Sequence, residues 1–513
     1  MNGTEKRNGI SGIDVSRYGK EISEFEKKII DYDKGKLELK EYKPISGNFG
    51  VIPQRDGKHA VRLRMAGGAV NAEKLRFILN KAKEHNAGFI HLTTCQTVQM
   101  HGLSGEQAVD VIRSATDVGI FTKGGGGNNP RNVAASPLSG KDPAEVFDVL
   151  PFAQATENYI LGTIDEWNFP SKFKISFSNG ADYEVNAVAK DLGFVAAGDS
   201  FDVYLGGGMG NKGSRTGVRV MEGLDPNKTL YAVEAAFFLF TRHGPGDSRA
   251  ESRFRFLRDR LGEEKFVSEF MDDFRISEER GGLDLNIGLS FGNGKINGCT
   301  KSVTVQKNGK YSVKIAPHGG DPSLEELEVF LGLLESNPEY GMRLGSDQSI
   351  YLTDLDGNIA DEIASRYPVK SKFGSSLACV GYPLCQTGRR NSRGVLKTLT
   401  DMEESAGLPD GALPKIAISG CGSSCTCHQL FPIGLRGSSI KTEDGTVSAF
   451  EVHIGGSSVA GEEKTGKVIG DVPEASLPEL FRTIGKEASE KGFDEWILTN
   501  GERLEELVKA FYV

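Results

Sequence analysis

Val61-Arg62-Leu63-Arg64-Met65-Ala66-Gly67-Gly68 and Val313-Lys314-Ile315-Ala316-Pro317-His318-Gly319-Gly320 are two versions of one pattern, 252 positions apart. Each opens on alternating apolar residues, as a half-buried strand does, and ends in a Gly-Gly turn. The register continues without a gap. Asn71 sits over Ser323, both residue types that favour a helix N-cap. Ser323 also has Glu326 three positions on, a reciprocal capping signature. Leu75, Ile78, Leu79 and Ala82 sit over Leu327, Phe330, Leu331 and Leu334, the spacing of one apolar helix face. Leu92, Gln96 and Val98 then sit over Leu344, Gln348 and Ile350. Each copy reads strand, turn, helix, strand.

A second echo lies 249 positions apart: Phe201-Asp202-Val203-Tyr204-Leu205-Gly206-Gly207 over Phe450-Glu451-Val452-His453-Ile454-Gly455-Gly456. The order is therefore A-B-A′-B′, and self-similarity on this scale governs the whole fold. The predicted class is α+β, a tandem duplication with pseudo-twofold symmetry. The expected divisions are an arm at 1–45, A at 46–120, B at 121–295, A′ at 296–367 and B′ at 368–513. Residues 1–45 are charged and show no clear core pattern, so they are expected to be extended. Gly124-Gly125-Gly126-Gly127-Asn128-Asn129-Pro130 is a loop joining A to B. Residues 226–275 read as helical, with an apolar run from Ala232 to Phe240 and a charged stretch from Arg249 to Arg260.

Composition narrows the function. The chain has 513 residues, a formal charge of −9 and 26% charged residues, a globular profile long enough for several domains. Gly accounts for 65 positions against 19 Pro without a collagen period, which points to tight turns and backbone packed close to something large. The acidic balance argues against a nucleic-acid partner. No apolar run is long enough to cross a bilayer, and Met1 to Asn8 is polar, so the expectation is a cytoplasmic protein without a membrane partner. Seven Cys in such a chain fit a reducing compartment better than a disulfide framework.

Four of those thiols fall in two close pairs. Cys379 and Cys385 form C-x5-C, and Cys421 and Cys425 form C-x3-C after Gly420. Two tight loops of thiolates suit an iron–sulfur cluster. Zinc is the rival, although its usual loops are shorter and better matched; unrelated thiols are the third reading. Cys427 reads as a free thiol beside the site, and Cys299 as a small buried or free thiol.

The cations form a second constellation. On a strand, Arg62 and Arg64 share one face while Val61, Leu63 and Met65 take the other. Lys172 and Lys174 do the same around Phe173, and Arg131 follows the glycine-rich loop. Cations converging without carboxylates make an anion site; two solvated strand faces are the alternative.

The chain resembles the sulfite and nitrite reductase family. The motifs that carry the resemblance are the stretch from Val61 to Gly68, Leu92-Thr93-Thr94-Cys95-Gln96-Thr97-Val98-Gln99, Asn129-Pro130-Arg131-Asn132-Val133, Lys172-Phe173-Lys174, Leu205-Gly206-Gly207-Gly208 and the two cysteine pairs. The resemblance implies ferredoxin-like repeats for A and A′, two α+β domains that bind sirohaem and the cluster, and a sirohaem coupled to a [4Fe–4S] cluster. It implies that Cys379, Cys385, Cys421 and Cys425 hold the cluster, with Cys425 also bridging to the sirohaem iron. Arg62, Arg131, Lys172 and Lys174 would line the face where the substrate anion binds. Gln96, Gln99, Asn132 and the Gly206, Gly207, Gly208 turn would lie along the macrocycle.

The implied activity is six-electron reduction of sulfite to sulfide with electrons from an external donor such as ferredoxin; reduction of nitrite to ammonia is the alternative. Nitrite-reducing relatives often carry Asn at the second position of Lys-x-Lys. Lys174 keeps a charge there, which favours a dianion over a monoanion. The cationic quartet argues against a precorrin-3B synthase, whose macrocyclic substrate has no need of it, and against a non-catalytic cluster protein. One departure stands out. Relatives commonly have Arg, a partner for a sirohaem carboxylate, where this chain has Cys95. Arg389, Arg390 and Arg393 are the candidate replacements, and equally candidates for docking an acidic donor or for a merely solvated surface.

Overall fold

A computed structural model of the chain describes residues 12–181, 185–246, 251–294, 302–443, 445–459 and 461–511; Cys299 lies outside them. The first unexpected feature comes at once. Residues predicted to be an extended arm form α1 (Val15–Asp33) and α2 (Leu39–Asn48). Asp14 caps α1 by accepting from the Arg17 amide, and Tyr18, Ile22, Phe25 and Ile29 line a fully buried stripe. The stripe is one helical face wide, and the charged residues that fill the other faces hid its period.

Repeat A contains β1 (Val51–Pro53), β2 (His59–Leu63), β3 (Ala69–Val70), α3 (Ala72–Glu84), β4 (Phe89–Leu92), β5 (Val98–Leu103) and α4 (Gly105–Ser114). Its antiparallel sheet runs β1-β2-β5-β4. Domain B follows with β6 (Ala134–Ala135), α5 (Leu150–Thr163), β7 (Ile175–Ser178), β8 (Leu192–Ala197), β9 (Ser200–Leu205), β10 (Val218–Leu224), α6 (Thr229–His243), α7 (Leu257–Leu261) and α8 (Glu263–Arg280). The mixed sheet is β10-β9-β8-β7-β6. Repeat A′ comprises β11 (Val303–Val305), β12 (Tyr311–Ile315), α9 (Leu324–Ser336), β13 (Gly341–Leu344), β14 (Ile350–Leu355) and α10 (Gly357–Arg366). Domain B′ comprises β15 (Leu377–Ala378), α11 (Ser392–Ser405), β16 (Ala417–Ser419), β17 (Ile433–Thr442), β18 (Gly445–Ile454), β19 (Lys467–Pro473), α12 (Leu477–Ala488), α13 (Phe493–Thr499) and α14 (Gly501–Phe511). Its sheet, β15-β16-β17-β18-β19, repeats the mixed plan of domain B. The helices expected over 226–275 are α6 to α8.

The two repeats are built into one another. Their apolar residues form a single core, from Tyr18 through Leu63, Ile78 and Met100 to Val313, Phe330 and Ile363, whereas B and B′ each have their own. β3 leaves its own repeat and pairs with β13, so the sheet of A′ reads β11-β12-β14-β13-β3. α3 packs against its counterpart α9, with ion pairs Arg76–Glu335 and Lys83–Glu328 across the contact.

Two buried glutamines complete the symmetry. Gln96 donates to the carbonyls of Ala135 (2.7 Å) and Leu344 (2.8 Å) and accepts from the Ala135 amide. Gln348 donates to the carbonyls of Leu92 (3.0 Å) and Ala378 (2.9 Å) and accepts from the Ala378 amide. Both sit in the left-handed region, at φ 54° and 65°. Each amide spans its own half and the opposite one, so the duplication is locked by paired buried hydrogen bonds whose loss would strand polar groups away from water.

Candidate active site

The alternation of β2 sends Val61, Leu63 and Met65 into the shared core and turns both arginines toward domain B. They then part. Glu157 of α5 meets Arg64 with two hydrogen bonds, of 2.5 and 3.0 Å, and the remaining Nη1 donates to Lys123 O and Pro130 O. Arg64 is therefore a closed, buried ion pair and not part of an anion site, contrary to the pairing the strand alternation suggested. Arg62 donates to Gly125 O at 2.7 Å, keeps its Nε without a partner and lines a cavity of about 310 Å³.

Arg131, Lys172 and Lys174 line the same cavity. The glycine-rich loop folds around the Arg131 guanidinium, which donates to the carbonyls of Gly124, Gly126, Gly127 and Asn129. Among the described residues, the Lys172 and Lys174 ammonium groups have neither an ion pair nor a hydrogen bond. Burial, helped by Arg253 and Lys174, brings the Lys172 ammonium down to about 7. Burial likewise draws Arg131 down to about 9, with Arg62 adding to it. Lys174 moves the other way, above its ordinary value, because it faces the Cys95 thiol. Burial alone would raise Cys95; Lys174, Arg62, Lys190 and Arg131 together bring it to about 7.

The same cavity is lined by all four paired thiols, Cys379, Cys385, Cys421 and Cys425. Cys379 follows β15 and Cys421 follows β16, and the two parallel strands deliver their loops to one place. Gly420 permits the approach: a Cβ there would lie 2.7 Å from Arg390 O and 3.0 Å from Gly381 Cα. Arg55, from repeat A, reaches across and donates to the carbonyls of Cys385, Gln386 and Gly388. The Gly420 amide donates to Cys379 Sγ, and Thr94 Oγ1 donates to Cys425 O at 2.6 Å. Burial pushes the Cys379 thiol up to about 12 and raises that of Cys425.

This donor set fits a cluster rather than a single ion. A zinc ion holding sulfur at its usual distance in a tetrahedron needs thiols about 3.8 Å apart. Among the described residues only Glu84, His85 and Asp110 bring three potential ligand atoms within 4.8 Å of one another. The four thiols are free, face one cavity and stand wider than a mononuclear site requires. Iron–sulfur clusters take such a soft, spread set.

The remaining predicted residues divide. Gln99, opposite Arg62 in the β2–β5 ladder, lines the cavity. Gln96 does not, because both ends of its amide serve the interlock. Asn132 is also structural: it accepts from the Met65 amide and donates to Met65 O and Cys95 O, fixing the turn that presents Cys95. Gly206, Gly207 and Gly208 line neither this cavity nor its neighbour. Gly207 instead lets the chain around residue 190 pass, since a Cβ would meet Lys190 O at 2.6 Å and Val188 O at 2.8 Å. Arg389, Arg390 and Arg393 stay outside both cavities, and Arg393 pairs with Asp321 at 2.6 Å. Cys427 packs with Ala189, Met209 and Leu430. Sequence reasoning missed Thr94 as a cavity wall, although it adjoins Cys95, and Arg55, for which the sequence held no signal.

One cavity thus joins a cluster-type thiol set to a cation set, in a duplicated α+β frame. Residues 126–277 match the family model described as the nitrite and sulphite reductase 4Fe-4S domain, and residues 52–118 match the nitrite/sulfite reductase ferredoxin-like half domain. The chain belongs to the nitrite and sulfite reductase family, oxidoreductases whose 4Fe-4S domain in general binds sirohaem with the cluster. It is 26% identical over 451 residues to an assimilatory ferredoxin-dependent nitrite reductase of Haloferax mediterranei, covering 80% of this chain and 76% of that one. It is 27% identical over 418 residues to a ferredoxin sulfite reductase of Mycolicibacterium paratuberculosis, covering 77% and 73%. The fold matches the solved structure of Mycobacterium tuberculosis NirA protein, with a TM-score of 0.78, 21% identity and 96% of each chain covered. Among the described residues no helix is long and apolar enough to cross a membrane.

Proposed function

We propose that the protein reduces sulfite to sulfide, drawing six electrons one at a time from an external donor such as ferredoxin. The observation that carries this is the single cavity in which two unpartnered lysines and two arginines face four cluster-type thiols. Cys379, Cys385, Cys421 and Cys425 would hold the [4Fe–4S] cluster, and Cys425 would also join it to the sirohaem. The sirohaem, when bound, would supply the iron that takes the substrate and the path by which the donor's electrons reach it. The rest belongs to the chain. Arg62 and Arg131 are fixed by loop carbonyls, so they offer a preorganised positive field with little rearrangement. Lys172 and Lys174 add ammonium donors that no described group holds. Lys172, poised near neutrality, can give a proton to a substrate oxygen, which Arg131 does far less readily. The ferredoxin-dependent relatives support ferredoxin as that donor.

Nitrite is the second reading, favoured by the nitrite reductases among the relatives, including one from Synechococcus elongatus that is 23% identical over 462 residues. The test is anaerobic turnover of purified protein with a reduced dye, comparing kcat/KM for the two anions and quantifying sulfide and ammonia. Preferential sulfide formation supports the proposal; preferential ammonia formation replaces sulfite with nitrite. Lys174→Asn should move the sulfite-to-nitrite ratio of kcat/KM toward nitrite by roughly tenfold, about 1.4 kcal/mol of differential binding. An unchanged ratio removes Lys174 from selectivity.

A further inference from the structure

A second cavity, of about 360 Å³, adjoins the first and shares Thr94 and Thr426 as lining residues. Its charged groups are largely settled among themselves. Asp347 is held by Lys314 at 2.7 Å and Lys415 at 2.8 Å, and Asp494 by Lys372. Lys190 is the exception. It is only 6% exposed, lines this cavity, and has no ion pair or hydrogen bond from its ammonium among the described residues.

The backbone holds Lys190 in place from three sides. The short 3-10 turn Ala187–Ala189 precedes it, and its amide donates to Ala187 O. Asp191, immediately after, accepts from the Lys174 amide at 2.9 Å and pairs with Arg253. Gly207 packs against the Lys190 carbonyl. The ammonium also lies close enough to Cys95 to be among the charges that draw its thiol down, although the two line different cavities. A buried cation kept without a counter-charge is costly, and burial lowers its proton affinity. Such a group is stable when an anion is delivered to it.

We propose that Lys190 binds a carboxylate of the tetrapyrrole, taking over from the second cavity the charge that relatives place at the position of Cys95. Sirohaem carries several carboxylates around its rim. A macrocycle seated against the cation wall of the first cavity would extend one edge past Thr94 and Thr426 into the second. There Lys190 is the cation without a partner among the described residues, and Ser346, Ser457 and Ser458 line the same cavity. This assignment rests on the reductase reading for the identity of the ligand, and on the geometry of the second cavity for the residue.

The test uses purified protein loaded with its cofactors, with tetrapyrrole and cluster iron per chain measured separately. Lys190→Met should let the tetrapyrrole go at least about tenfold more readily while cluster iron stays at the parental level, since a charged hydrogen bond is lost. Lys190→Arg should restore the hold, and so should Cys95→Arg placed on the Lys190→Met background. If Lys190→Met holds the tetrapyrrole as tightly as the parent, the proposal fails and the reductase reading stands. If Lys190→Met loses cluster iron as well and neither restoring substitution recovers it, Lys190 is a structural residue and the proposal fails. If the parent carries the cluster but takes no tetrapyrrole, both readings fall together.

Discussion

A Lys172→Met enzyme is expected to turn over its anion about 10²- to 10⁴-fold more slowly than the parent, the range for loss of a positioned proton donor. The expectation rests on the setting of the side chain. Lys172 lines the cavity with Arg62, Arg131 and Lys174, and none of the described carboxylates reaches its ammonium. Burial, then Arg253 and Lys174, lowers it to about 7. A lysine at its ordinary value would hold its proton too firmly to donate readily near neutrality. The sign of the pH dependence follows. The proton is present below about 7 and is lost above it, so kcat/KM, which reports the free enzyme, should fall as pH rises through 7. A bound anion favours the ammonium, so the corresponding limb of kcat should lie at higher pH. The Lys172→Met profile should lose that limb. If the variant keeps the parental profile and stays within threefold of parental turnover, Lys172 lines the cavity without donating.

Glu157→Ala is expected to destabilise domain B by about 3–5 kcal/mol, the usual consequence of removing one partner from a buried ion pair. The Arg64 and Glu157 side chains are nearly inaccessible, at 2% and 4% exposure, so the guanidinium left behind could not turn to water. Glu157 also accepts from the Val133 amide at 2.9 Å, and a second buried donor would be stranded with it. Arg64→Met combined with Glu157→Leu should recover most of the loss, because an apolar pair of similar volume needs no counter-charge. Urea unfolding followed by a probe in domain B reads both variants. A loss below 1 kcal/mol for Glu157→Ala would mean that water reaches Arg64 after all.

Arg64 also shows where sequence reasoning stops. The alternation of β2 correctly put Arg62 and Arg64 on one face, but a period carries no information about what stands opposite. Glu157 lies 93 positions away. The tandem repeat, the glycine turns and the thiol loops were legible because each is a local pattern, and the repeat doubled the signal. The cation wall and the thiol wall were legible as separate sets, while their meeting in one cavity depends on how B and B′ close over the repeats. Gln96 shows a related limit. Its match to Gln348 is visible in the sequence, yet the duty the two share, satisfying backbone groups across the two halves, is not. The helix of residues 15–33 was missed because a narrow apolar stripe is diluted in a strongly charged segment. Lys190 carried no motif at all, and only its enclosure without a counter-charge marks it.

The glutamine interlock has a consequence for assembly. Gln96 reaches Leu344 as Gln348 reaches Leu92, so each half presents to the other the surface it receives. This is the self-complementary arrangement of an isologous homodimer, here between two parts of a single polypeptide. Covalent connection replaces the concentration dependence of such a dimer with a fixed, high effective concentration. Once joined, the copies were free to diverge on either side of the axis. Position 95 in one is a thiol beside substrate-type cations, while position 347 in the other is a carboxylate that Lys314 and Lys415 neutralise. Two equivalent positions have thereby become one thiol among unpaired cations and one carboxylate whose charge the protein's own lysines already balance.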